Sequence, residues 1–95
     1  MTRLAPQQRI EVPDGVLMRE LQGESVLLNL DSECYFGLDE IGTRMWAVLT
    51  TTPDVGAAME ALLAEFEVDA ERLHGDLADF VESLSSAGLI RVVPA

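Results

Sequence analysis

The chain contains no lysine, one cysteine and one histidine. A single cysteine, Cys34, excludes an internal disulfide and a cysteine-based zinc site. It reads as a half-buried small apolar residue in a reducing compartment. With His74 as the only imidazole, no Ser-His-Asp or Cys-His set can be assembled, and His74 itself falls at the margin of a helix's apolar face. The seven glycines are isolated, so no phosphate-cradling loop is present, and no run has the alternating oxygens of a calcium loop. Asp76 and Asp79 share a helix face, but with no histidine or aromatic pocket nearby they read as solvated or partner-facing, not as a general acid and base. The expectation is a non-enzyme without cofactor or metal. No apolar run approaches a membrane span, and Met1 to Glu11 lacks the apolar segment of a signal peptide. The sequence therefore reads as a soluble cytoplasmic protein.

Charge of one sign is what the sequence has. Six arginines face seventeen acids, for a net charge of -11. Such a balance repels a nucleic-acid backbone and an anionic membrane, and it suits a neutral or basic protein or peptide. With 95 residues, 48% of them hydrophobic, the chain is long enough for one domain with its own core.

Residues 1–12 are polar and mixed, with Pro6, Gln7 and Gln8, and read as a flexible arm. Pro13-Asp14-Gly15 is a turn signal, so the ordered domain is expected over 13–93. Val16 to Leu21, Ser25 to Leu30 and Cys34 to Leu38 alternate with period two and are separated by short turns at Gln22-Gly23 and Asp31-Ser32-Glu33. Loops this short predict an antiparallel three-stranded meander. From Asp39 the period becomes 3.6. Asp39 caps a helix over Glu40 to Leu49, ended by the Thr50-Thr51-Thr52 run. Thr52-Pro53 opens a second helix with the stripe Val55, Met59, Leu62, Leu63 and Phe66. Asp69 caps a third, whose apolar face is Leu73, Leu77, Phe80, Val81 and Leu84, and Gly88 stops it. Leu89 to Val93 reads as a final strand. The fold class is α+β: a three-stranded antiparallel sheet followed by three helices, a winged-helix-like arrangement.

Two features point to binding. The outer edge of the third predicted strand has no partner, and Cys34-Tyr35-Phe36-Gly37 carries neither lysine nor proline to protect it. Such an edge is either covered by the fold or open to a peptide that adds as a strand. Proline at 34 or 36 would disrupt that addition wherever the replaced N–H points outward. The third predicted helix adds a second wall, with an apolar face and an acidic flank that includes Asp69, Asp76 and Asp79. A groove between the two would take an apolar peptide flanked by basic residues.

The runs Gly23-Glu24-Ser25-Val26-Leu27-Leu28-Asn29 and Tyr35-Phe36-Gly37-Leu38-Asp39-Glu40-Ile41-Gly42, then Met45-Trp46 and the closing Ala87-Gly88-Leu89-Ile90, resemble the PqqD-like family. The resemblance covers roughly residues 12 to 92. Asp39 stands where members often carry Asn, and both cap helices. The resemblance implies a recognition element that binds the leader of a ribosomally made precursor peptide. In that family the leader docks as an extra strand on the third strand, beside the third helix. Carried onto this sequence, the leader site is Glu33, Cys34, Tyr35, Phe36 and Gly37 with Asp69, Leu73, Asp76, Leu77 and Phe80. The chain looks most like the free-standing member of lasso peptide systems, whose partners are a transglutaminase-like leader peptidase and an asparagine-synthetase-like cyclase. Pyrroloquinoline quinone biosynthesis, with a radical enzyme as partner, is the alternative within the family. Outside it stand a winged-helix regulator, opposed by five acids against one arginine on the third helix, and a subunit that only oligomerises.

Overall fold

The computed structural model describes residues 4–94. In chain order the elements are β1 (Arg9–Glu11), β2 (Val16–Leu21), β3 (Glu24–Asn29), β4 (Cys34–Leu38), α1 (Glu40–Thr51), α2 (Val55–Glu65), α3 (Ala70–Ser86) and β5 (Arg91–Val93). The meander is as expected: β2, β3 and β4 form one antiparallel sheet with β3 in the middle. Leu27, on the sheet's inner face, is completely buried and shares one core with Leu38, Met45, Trp46, Leu49, Leu62 and the α3 residues Leu73, Leu77, Val81 and Leu84. The sheet thus lies on the helices with one face and leaves the other to solvent.

All three helices begin on an aspartate. Asp39, Asp54 and Asp69 each accept the N–H three residues on, at 2.8 Å. The Asp39 and Asp69 caps match the sequence reading; the cap of α2 does not. Thr52 is instead the C-cap of α1, which runs two residues past Leu49. The threonine run fails to stop the helix because its hydroxyls donate back into it: Thr50 to the Trp46 carbonyl at 2.8 Å and Thr52 to that of Val48 at 2.7 Å. Back-bonded in this way, a hydroxyl does not compete for the helix's own N–H groups.

The stretch read as a flexible arm is different in the structure. Met1 to Arg3 lie outside the described residues, but Leu4 is buried in the core. Beyond it, the Pro6 and Gln8 carbonyls accept the N–H groups of Gly56 and Val55 at the start of α2. β1 then pairs antiparallel with β5, Ile10 opposite Val92. Polar composition misleads here because the anchoring is mostly backbone pairing and a single leucine. His74, expected at the margin of a helix's apolar face, places its Nε2 3.4 Å from the Leu4 carbonyl oxygen.

α3 ends in a Schellman turn. Gly88 takes φ +75°, its N–H donates to Ser85 and the N–H of Leu89 donates to Leu84. Glycine is required there because other side chains rarely adopt that backbone conformation.

Candidate peptide-docking edge

The Gln22-Gly23 turn decides which backbone groups of β4 are free. Both residues have positive φ, 55° and 84°, so they make a type I′ hairpin turn. Leu21 and Glu24, which close it, are then a hydrogen-bonded pair, and such pairs recur every second residue. The even-numbered residues of β3 therefore bond to β2. The Leu30 N–H donating to the Gly15 carbonyl at 2.8 Å continues the same series. Ser25, Leu27 and Asn29 must bond to the other side, to Leu38, Phe36 and Cys34 of β4. What remains facing outward on β4 is the N–H and C=O of Tyr35 and Gly37. Proline at 34 or 36 would thus attack the β3–β4 ladder, and the outward N–H groups sit one residue along from those positions.

Side chains divide by the same parity. Leu38 is buried and Phe36 packs part-buried against the core; Cys34, on the same inner side but at the start of the strand, is exposed and not half-buried as expected. Tyr35 projects from the outer face and is 77% exposed. A Cβ built on Gly37 meets nothing within 4 Å. No packing in the free chain requires glycine there, and a glycine inside a strand often marks a site where another backbone approaches. Gly42 is the opposite case: a Cβ would stand 3.3 Å from the capping oxygen of Asp39 and 3.4 Å from Leu38. The Gly-Leu-Asp-x-x-Gly run is thus a core leucine, a helix cap and the small residue that lets them close up.

Glu33 has φ 60° and carries the chain out of the 30–33 turn into β4. The side chain of Asn29 holds this turn: its Oδ1 accepts the N–H groups of Asp31 at 2.9 Å and Ser32 at 3.2 Å. On the helical side, Leu73 and Leu77 are core residues, so they do not line an open groove in the free chain. Of the three expected walls Phe80 alone is part-exposed. Asp76 and Asp79 are exposed, while the carboxylate of Asp69 is engaged as a cap.

The expected site did not include the sheet's outer face. Leu17, Leu21, Val26 and Tyr35 are all exposed there, around the guanidinium-bearing Arg19. Two shallow depressions open on this face, one lined by Leu17, Leu28 and Tyr35, the other by Arg19, Leu21 and Gly37. The signal was present in β3, where apolar residues occupy both parities. No cluster of metal-ligating side chains occurs among the described residues, and no described helix is long and apolar enough to cross a membrane.

Comparison with solved structures finds the same architecture. One, described as TbiB1 in complex with the TbiA(beta) leader peptide, is 33% identical, with a TM-score of 0.80 over 85% of this chain and 94% of that one. Another, described as lasso peptide synthetase B1 complexed with the leader peptide, is 20% identical and shares the fold, with a TM-score of 0.78 over 87% of this chain and 98% of that one. No curated protein matches. The model of the family described as coenzyme PQQ synthesis protein D (PqqD) matches residues 24–90, from the first residue of β3 to the close of α3's terminal turn, and the chain belongs to that family.

Proposed function

We propose that the chain binds the leader region of a ribosomally made precursor peptide by accepting it as a fourth strand, and presents it to separate modifying enzymes. The observation that carries this reading is the open edge of β4, with the backbone groups of Tyr35 and Gly37 aimed outward, in a chain one-third identical to a protein solved with a leader peptide. Glu33 to Gly37 form the pairing edge. Inward-pointing leader side chains pass Phe36 toward Phe80, whose helix is held by Leu73 and Leu77 in the core. Asp76 and Asp79, with Asp69 at the start of the helix, favour leader positions that carry basic residues.

The identity to TbiB1 supports the lasso-peptide assignment over pyrroloquinoline quinone biosynthesis. On this reading the domain is 13–93 with residues 4–12 packed onto it, and it works in the cytoplasm with a transglutaminase-like leader peptidase and an asparagine-synthetase-like cyclase. The exposed apolar outer face is on the opposite side of the sheet from the helices, so an enzyme can rest on it while a leader occupies β4. The chain contributes no chemistry: His74→Ala and Cys34→Ser leave processing of the precursor intact.

The test is amide exchange during titration with a synthetic TbiA(beta) leader peptide. Binding by strand addition slows exchange at Tyr35 and Gly37. Protection confined to α2, or an unchanged β4, removes strand addition from the account.

A further inference from the structure

The hydrogen bond from Asn29 Nδ2 to the Gly88 carbonyl, 2.9 Å, spans 59 residues of sequence. Among the described residues it is the one hydrogen bond that joins the three-stranded sheet to the end of α3. The same side chain holds the 30–33 turn through its Oδ1, and its own backbone is paired with Cys34, the first residue of β4. A single amide group thus grips the turn that launches the docking edge and the turn that ends the neighbouring helix. Gly88 is fitted to it: a Cβ there would lie 3.4 Å from Asn29 Nδ2.

We infer that Asn29 is a positioning residue for the leader site, setting how far the end of α3 stands from the start of β4. The inference rests on the leader-binding reading. A strand laid on β4 must pair with Tyr35 and Gly37 and at the same time seat side chains against α3, so both walls must keep one spacing. Backbone bonds fix β4 to β3 but do not reach α3. Asparagine suits the task because its side chain accepts on one atom and donates on the other. Aspartate keeps the acceptor and loses the donor, so Asn29→Asp preserves the Oδ1 contacts of the turn and breaks the bond to Gly88.

The experiment compares Asn29→Asp with Ser25→Ala, which removes a different side-chain bond of the same strand, one that leads to α1. Both are measured as full chains at a temperature where each is folded. With a fluorescent TbiA(beta) leader peptide, Asn29→Asp is expected to weaken binding about five-fold or more, and Ser25→Ala by less than about two-fold. Equal losses, or a fully active Asn29→Asp, would overturn the assignment. If the wild-type chain does not bind this peptide, the failure is that of the leader reading. The clamp is then judged by amide exchange in the free protein, where Asn29→Asp should speed exchange at Cys34 and at Leu89 together. Acceleration at only one of them rules out a shared clamp.

Discussion

The hydroxyl of Ser25 in β3 and that of Thr43 in α1 lie 2.7 Å apart, both buried, and this bond fixes the sheet on the first helix. Each hydroxyl is satisfied only by keeping that register. Removing one leaves the other unpaired, at a cost of about 1–3 kcal/mol. The double variant Ser25→Ala with Thr43→Val removes both polar groups and should lose less than the sum of the single variants. Thermal unfolding of all four proteins checks this, and strict additivity would mean that the two hydroxyls do not act as a pair.

Free β4 should show alternating amide protection. Cys34, Phe36 and Leu38 bond to β3 and exchange slowly, whereas Tyr35 and Gly37 exchange fast. Gly37→Pro removes an outward N–H and keeps the β3 ladder, so it should abolish most leader binding in a protein that still folds. Cys34→Pro and Phe36→Pro should instead lower stability first. Calorimetry beside a binding titration separates the two outcomes.

Leu4→Ala is expected to destabilise the fold by about 2 kcal/mol, because Leu4 sits in the core and buried truncations fall in or above that range. Denaturant unfolding measures it. A midpoint equal to that of the wild type would return the N-terminal stretch to the status of an arm.

Arg44 and Glu65 make a two-point ion pair between α1 and α2, with contacts of 2.6 and 2.9 Å. The hydrogen bond and charge of Arg44 hold the Glu65 carboxyl below its ordinary 4.5. A lowered carboxylate pKa contributes stability that is present above the unfolded value and lost as the pH falls through the folded one. Both groups are solvated, so the effect is small. The gap in melting temperature between wild type and Arg44→Gln should be constant above pH 4.5 and close below it; a gap that persists in stronger acid would assign the effect to packing of the Arg44 stem.

The elements legible in the sequence were those with strong local signals. The period-two runs around Gln22-Gly23 located the hairpin, and Asp39 and Asp69 announced two helix starts. Asp54 was overlooked because Thr52-Pro53 is the louder signal two residues earlier, and only the back-bonded hydroxyls reveal that Thr52 closes the preceding helix. The β1–β5 pairing is invisible in composition, since it joins residues about eighty apart through backbone groups that every sequence possesses. At the site, the strand edge was readable from the missing lysine and proline. The burial of Leu73 and Leu77, and the clamp at Asn29, depend on distances across the fold that no local pattern encodes.

Among the described residues the order β2-β3-β4 leaves the sheet two margins without a strand partner, and β2 is the second. A ribbon with both margins bare can in principle propagate, each copy offering β4 to the β2 of the next, head to tail and without closure. The opposing force is written in the composition: every copy added to such a filament brings eleven more negative charges to the row. A short peptide of neutral or basic character meets no such barrier. If β4 takes a leader as proposed, the acidity of the chain opposes a second copy at that edge and does not oppose a neutral or basic peptide. That opposition weakens as salt shortens the reach of charge, so self-association should be sought in concentrated salt and be absent at low ionic strength.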